Sequence, residues 1–178
     1  MKKNTVYIAK SLDGFISGKN GTLDWLESVP NPAQEDMGYS VFMKEIDAIV
    51  MGRNTFETVL NFDIDWPYTQ HVFVLSRTLS EVPEDLRQKI TILSGTPQEV
   101  LDEIHRREYF RLYIDGGVTI QRFVAENLID EFRITTFPIL LGEGAPLFGP
   151  LSEPLRLAYV RSDVYLGQLV HDVYRKIG

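Results

Sequence analysis

Short runs of β-branched and aromatic residues alternate along the chain with stretches whose apolar positions recur at helical spacing. "TVYIA" at 5–9 predicts the first strand. "NPAQEDMGYSVFMKEI" at 31–46 predicts a helix, with Asn31 as N-cap, Pro32 at the first helical position and Gln34 completing a capping box. Phe42, Met43 and Ile46 give that helix its apolar stripe. The strand "AIVM" at 48–51 follows, then a helix opened by Asn54 with Glu57 as its capping-box partner. "HVFVLS" at 71–76 and "ITILSG" at 90–95 predict strands, and "TPQEVLDEIHRRE" at 96–108 a helix capped by Thr96, with Pro97 at its first position and Glu99 three residues after the cap. "RLYI" at 111–114 runs into Gly116-Gly117 and a helix, "TIQRFVAENL", over 119–128. From "EFRITTFPIL" at 131–140 to the end the helical period is absent, which predicts antiparallel strands completing the sheet.

Strands alternating with helices imply an α/β fold whose sheet is largely parallel and covered on both faces, with ligands at the carboxyl ends of the strands. Two such ends carry glycine: "IVMGRNTF" at 49–56 and "LYIDGGVT" at 112–119. A helix start offers unpaired N–H groups and the positive end of the helix dipole, and a glycine before it lets an anion approach the backbone. Arg53 follows Gly52 at one of these starts, and Arg77 follows "VLS" at the end of another predicted strand. A guanidinium suits bidentate contact with phosphate. From pattern alone, a pair of solvated surface arginines and glycines serving only the turns is the competing reading.

Composition narrows the possibilities. A chain of 178 residues, 44% apolar, is enough for one packed core, so residues 1–178 are read as a single domain. It has no cysteine, which excludes disulfides, thiolate nucleophiles and cysteine-based zinc sites, and its three histidines, at 71, 105 and 171, lack metal-ligand spacing. The formal charge of −7 argues against a nucleic-acid or anionic-membrane surface, so an anionic ligand requires cations of its own site. No apolar run has the length of a signal peptide core or a membrane span, and the expected location is cytoplasmic.

Five segments in order, "SLDGFI" at 11–16, "MGRNTFET" at 51–58, "VLSRTL" at 74–79, "IDGG" at 114–117 and "PILLGEGAPLF" at 138–148, resemble the dihydrofolate-reductase-like superfamily. Within it they are most similar to the branch containing the C-terminal reductase domain of bacterial riboflavin biosynthesis. The resemblance implies a three-layer α/β/α fold around a mixed, mostly parallel sheet of about eight strands ending in an antiparallel hairpin. It also implies an NADPH-dependent reductase acting on a small heterocyclic substrate, and a homodimer. By similarity, Gly52, Arg53, Asn54 and Thr55 lie along the cofactor phosphates, and Arg53, Ser76 and Arg77 flank the adenosine 2′-phosphate. Gly116, Gly117, Val118 and Thr119 cradle the pyrophosphate, Ala9 and Ile16 border the nicotinamide, and Leu75, Gly95 and Ile114 complete the cofactor set.

On the substrate side, the superfamily's acid sixteen positions before the motif glycine falls on Asp36, a candidate to hold the substrate ring and assist protonation. Its ordinary role is that of an acid in the first turn of a helix. Thr135 is the pocket-lining threonine by similarity, and Glu143 lies in a glycine-flanked loop near the nicotinamide pocket. Two departures weaken a folate assignment: "NFDIDWPYTQ" at 61–70 holds no basic residue to clamp a folate tail, and Ser40 stands where an aromatic is expected. Segment 61–70 is either a loop over the site or a surface loop. Asp13 reads as a turn residue and Trp25 as core packing. The implied reaction is hydride transfer to a C=N carbon, as in a phosphoribosylaminouracil reductase. Dihydrofolate reduction and a non-catalytic NADP-binding sensor are the alternatives.

Overall fold

The computed structural model of the chain describes residues 1–177. In chain order, β1 (Lys3–Ser11) and β2 (Phe15–Ser17) are followed by α1 (Tyr39–Lys44), β3 (Ala48–Gly52), α2 (Arg53–Leu60), β4 (His71–Leu75) and β5 (Ile90–Leu93). Then come α3 (Pro97–Arg106), β6 (Arg111–Asp115), α4 (Gly117–Ala125), β7 (Glu131–Phe137), β8 (Ala145–Pro146), β9 (Leu157–Tyr165) and β10 (Leu169–Lys176). Eight strands form one sheet in the order β5-β4-β3-β6-β1-β7-β10-β9, while β2 and β8 pair separately. All neighbours in the large sheet run parallel up to β7, and β10 is antiparallel to both β7 and β9. The expected mostly parallel sheet with a terminal hairpin is therefore what forms.

The central strands β3, β4 and β6 are buried on both faces, as their nearly continuous apolar runs require. One core, around Val50, Phe73, Ile114, Ile120, Phe123 and Phe132, takes in the inner faces of α3 and α4. The other, around Phe42, Ile49, Met51, Phe56 and Tyr113, takes in α1 and α2. The Thr96 cap forms as predicted: its side chain accepts the Glu99 N–H while the Glu99 carboxylate accepts the Thr96 N–H.

Two helix starts differ from expectation. The predicted helix over 31–46 shrinks to Tyr39–Lys44. The Asn31 side chain accepts from the Glu35 N–H and donates to the Glu35 carbonyl, closing a loop in place of a cap. Gln34, Met37 and Gly38 take positive φ angles of 51°, 53° and 86°, which end any helix through them. The apolar stripe nevertheless packs as read, with Phe42 and Ile46 in the core. In α2, Gly52 occupies the N-cap with no side-chain cap, so the Asn54–Glu57 capping box is absent. Glu57 pairs with Arg53 one turn earlier, and the Asn54 carbonyl accepts the Thr58 hydroxyl. No described helix is long and apolar enough to cross a membrane.

Candidate active site

Strands β3 and β6 are hydrogen-bonded neighbours with Met51 opposite Asp115, so the two glycine junctions stand side by side at the carboxyl edge of the sheet. They interlock. A Cβ on Gly116 would collide with the Thr55 hydroxyl of α2, and one on Gly52 would lie 3.0 Å from the Thr119 hydroxyl of α4. Each glycine thus makes room for a threonine from the other helix. Neither α2 nor α4 has a side-chain cap, so the first-turn N–H groups of both helices have no capping side chain to accept from them.

Both junctions open on one cavity of about 960 Å³. Among the residues assigned to the cofactor from sequence, Ala9, Ile16, Gly52, Arg53, Asn54, Thr55, Leu75, Gly116, Gly117, Val118 and Thr119 line it. Ser76, Arg77, Gly95 and Ile114 do not. The Ser76 hydroxyl accepts the N–H groups of Thr78 and Leu79, shaping the turn after β4 on which exposed Arg77 sits. The Gly95 carbonyl accepts from Arg122, which does line the cavity, and Ile114 is fully buried in the core. Arg53 is held by Glu57 and by the Thr78 hydroxyl at 2.9 Å, which directs it toward the exit of β4.

The opposite wall comes from β2 and the turn after it. β2 pairs with β8, and Gly144 lies so close to the Ser17 carbonyl that no Cβ fits there. Asp13 ties this corner together: it accepts from the Ser11 hydroxyl and from the N–H groups of Leu141 and Gly142. Its role is the structural one read from the sequence. Trp25 is likewise core, 5% exposed and edge-on to Phe137.

The three candidate catalytic residues lie outside the cavity lining. Asp36 is exposed at the start of α1, where its carboxylate accepts from the Gly38 and Ser40 N–H groups. Hydrogen bonds from the Ser40 side chain and from the Ser40 and Gly38 backbone hold it below the usual carboxyl range, so it stays ionised. Thr135 is buried and bonded to the His171 ring at 2.9 Å. Glu143 pairs on the surface with Lys19, whose residue lines the cavity.

The carboxyl group that does line the cavity is that of Asp115, the last residue of β6. Burial pushes its carboxyl up to about 6, against the lowering effects of the Gly116 N–H, bonded at 2.8 Å, and of the Tyr113 hydroxyl. Tyr39, Tyr68 and Tyr113 stand around it, and burial, reinforced by the Asp115 charge, raises all three phenols, so they remain neutral. Segment 61–70 is part of the site, since Phe62 and Tyr68 line the cavity and Tyr68 meets Trp66 edge-on at 5.2 Å. Asp115 was readable in "IDGG" as an acid at the carboxyl end of a parallel strand, directly before the glycine pair.

Residues 2–170 match the family model described as the RibD C-terminal domain. YyaP of Bacillus subtilis is 33% identical over 180 residues, covering 94% of this chain and 91% of that protein. The crystal structure titled "Putative riboflavin biosynthesis protein" from Shewanella sp. PV-4 superposes with a TM-score of 0.96 at 48% identity, with full coverage of both chains. Two more distant structures share the fold. One is a Thermotoga maritima diaminohydroxyphosphoribosylaminopyrimidine deaminase/5-amino-6-(5-phosphoribosylamino)uracil reductase, with a TM-score of 0.75 at 13% identity, covering 99% of this chain and 57% of that one. The other is Enterococcus faecalis dihydrofolate reductase complexed with NADP(H), with a TM-score of 0.66 at 17% identity, covering 98% and 96%.

Proposed function

The chain belongs to the RibD C-terminal domain family, and from that premise we propose that it is an NADPH-dependent reductase of a heterocyclic C=N bond. The observation that carries this reading is the interlocked pair of glycine junctions, which turns two uncapped helix starts onto one cavity. Side chains at 52, 116 and 117 would meet Thr119, Thr55 and Ile16, so glycine at these positions lets the two helix starts come together where phosphates would approach. Gly52 to Thr55 and Gly116 to Thr119 would hold the phosphates, and Ala9 and Ile16 would border the nicotinamide. Arg53, with Ser76 and Arg77 on the adjoining turn, would take the 2′-phosphate that distinguishes NADPH from NADH.

When bound, NADPH supplies the hydride. Delivered to the carbon of a C=N bond, with a proton added to the nitrogen, it would leave C–H and N–H. We assign the proton to Asp115, which lines the cavity and keeps a protonated fraction near neutral pH, in place of the exposed and ionised Asp36. Glu143 would act through Lys19, which lines the cavity, whereas Thr135 is bonded to His171 and neither of these lines it.

Titration of the protein with NADPH and NADH, repeated on Arg77→Ala, tests the cofactor half. NADPH is expected to bind at least about tenfold tighter than NADH, roughly 1.4 kcal/mol, and the substitution to remove most of that margin. Binding of neither nucleotide overturns the reading.

A further inference from the structure

Three cations line the cavity, Lys19, Arg53 and Arg122, and they differ in what already balances their charge. Lys19 lies 3.0 Å from the Glu143 carboxylate, and Arg53 lies 2.6 Å from that of Glu57. Arg122 pairs with no carboxylate among the described residues. Its guanidinium donates at 3.0 Å to the Gly95 carbonyl, a neutral acceptor, which leaves its charge uncompensated on a side chain of the cavity lining. A guanidinium carries five N–H donors in a planar fork, so a bond to one carbonyl orients it and leaves donors for an anion.

The position of Arg122 follows from α4. It stands five residues beyond Gly117, about 7.5 Å along the helix axis, and one turn beyond Val118, which also lines the cavity. Thr119, Ile120, Phe123 and Val124 turn into the core, and Arg122 is on the exposed side. From there it spans to Gly95, beyond the end of β5, while Arg53 spans from the start of α2 to Thr78, beyond the end of β4. β4 and β5 are hydrogen-bonded neighbours, so the two guanidiniums are anchored at adjacent strand exits, one from a helix on each face of the sheet. Leu75, the last residue of β4, lines the cavity at that edge. Gly95, assigned to the cofactor from sequence, stands outside the lining and holds a cation that is part of it.

Resting on the reductase reading above, we infer that Arg122 is a further specificity-determining residue: anchored by the Gly95 carbonyl, it closes on the 2′-phosphate of NADPH from the α4 side while Arg53 holds the α2 side. A phosphate monoester brings a charge of about −1.5 to −2 near neutral pH. Arg53 shares its charge with Glu57, and the uncompensated guanidinium of Arg122 supplies what that pair lacks. A plain tether between α4 and the exit of β5 would serve the fold whatever the ligand's charge, and this difference is what the experiment reads.

NADPH and NADH are titrated by calorimetry into the full chain, unsubstituted and carrying Arg122→Gln or Arg122→Lys, with urea unfolding of each measured alongside. The unsubstituted protein is read first: if neither nucleotide binds, the reductase reading falls and this inference with it, and if both bind equally, the inference alone is overturned. Arg122→Gln is expected to weaken NADPH by about tenfold or more and NADH by less than about twofold, with the urea midpoint unchanged. Arg122→Lys keeps the charge without the planar fork and should restore part of the preference. The preference of the unsubstituted protein should shrink as salt rises from about 0.05 to 0.5 M, and that of the Arg122→Gln variant should shrink less. Equal weakening of both nucleotides by Arg122→Gln, or a loss of stability with their affinity ratio unchanged, makes Arg122 a tether or a contact to the part the two share, and overturns the inference. So does the absence of any change in affinity.

Discussion

The two strand–glycine–helix junctions have the same sequence grammar and different physics. At β3–α2, Gly52 has φ −78° and ψ 164°, an extended conformation open to any residue, and the following Arg53 is tied to Glu57 and Thr78. At β6–α4, Gly116 has φ 87° and ψ 137°, a region few side-chain-bearing residues enter, and it follows a carboxyl raised by burial. A Cβ at Gly117 would also press on Ile16 Cδ1 at 2.6 Å. The first junction is built around charge and tolerates adjustment. The second is built around shape and a buried carboxyl.

Gly116→Ala is the hardest test of that difference. Backbone strain alone costs about 1–3 kcal/mol, and the new methyl must also displace Thr55 from a packed helix start. A loss of about 3 kcal/mol or more in urea unfolding is expected, together with loss of NADPH binding. Adding Thr55→Ala removes the collision and leaves the strain, so the double variant should recover only part of the loss. A single variant within about 0.5 kcal/mol of the parent would show that shape is not what this junction supplies.

Asp115→Asn probes the proton. A carboxyl raised above its unfolded value favours the protonated form in the fold, so the native state holds more protons between the two values. Stability should therefore decline as pH climbs from near 4 to about 6 and level off above it, and the substitution should flatten that slope. If Asp115 is the proton donor, turnover falls as pH rises through about 6, and the substitution lowers it by about 10²-fold across the range. An unchanged pH profile in the variant moves the proton source elsewhere.

The contrast also explains what the sequence made legible. The junctions could be read because each is local: a strand pattern, a glycine and a helix period within eight residues. The sheet and its hairpin followed from the same periodicities. Segment 31–38 could not be read that way, because the Asn31 side chain closes on Glu35 and positive φ angles at Gln34, Met37 and Gly38 interrupt what looks like a capped helix. Asn54 had a capping box in sequence, but Arg53 competes successfully for Glu57. "IDGG" shows Asp115 as an acid at a strand end, but its raised carboxyl is a product of burial in the folded chain, so the local pattern signals the acid and not its shift. Resemblance pointed to Asp36 by counting residues, whereas the exposure of Asp36 and the burial that raises Asp115 belong to the folded chain.

Arg53→Ala addresses charge at the first junction. Its pair with Glu57 is half exposed, so stability should change by less than about 0.5 kcal/mol. NADPH affinity should fall about tenfold and NADH affinity much less, read by calorimetry. A large loss of stability with no selective loss of NADPH would make Arg53 a structural residue and leave the cation role to Arg77 and Arg122.

Gly52→Ala is expected to be the mildest. The backbone there suits alanine, and the only close neighbour of the new methyl is the Thr119 hydroxyl at 3.0 Å, a side-chain atom that must yield a few tenths of an ångström. Alanine also narrows the unfolded ensemble, which offsets part of that crowding. The net change should stay under about 1 kcal/mol, and Thr119→Ser, which keeps the hydroxyl but removes the methyl that fixes its rotamer, should lower the cost further. NADPH affinity is the sharper readout, because a methyl at the N-cap stands beside the uncapped N–H groups of α2. Weakening of NADPH binding without loss of stability would make this glycine a place for phosphate to approach, whereas parallel loss of both would make it a packing residue like Gly116.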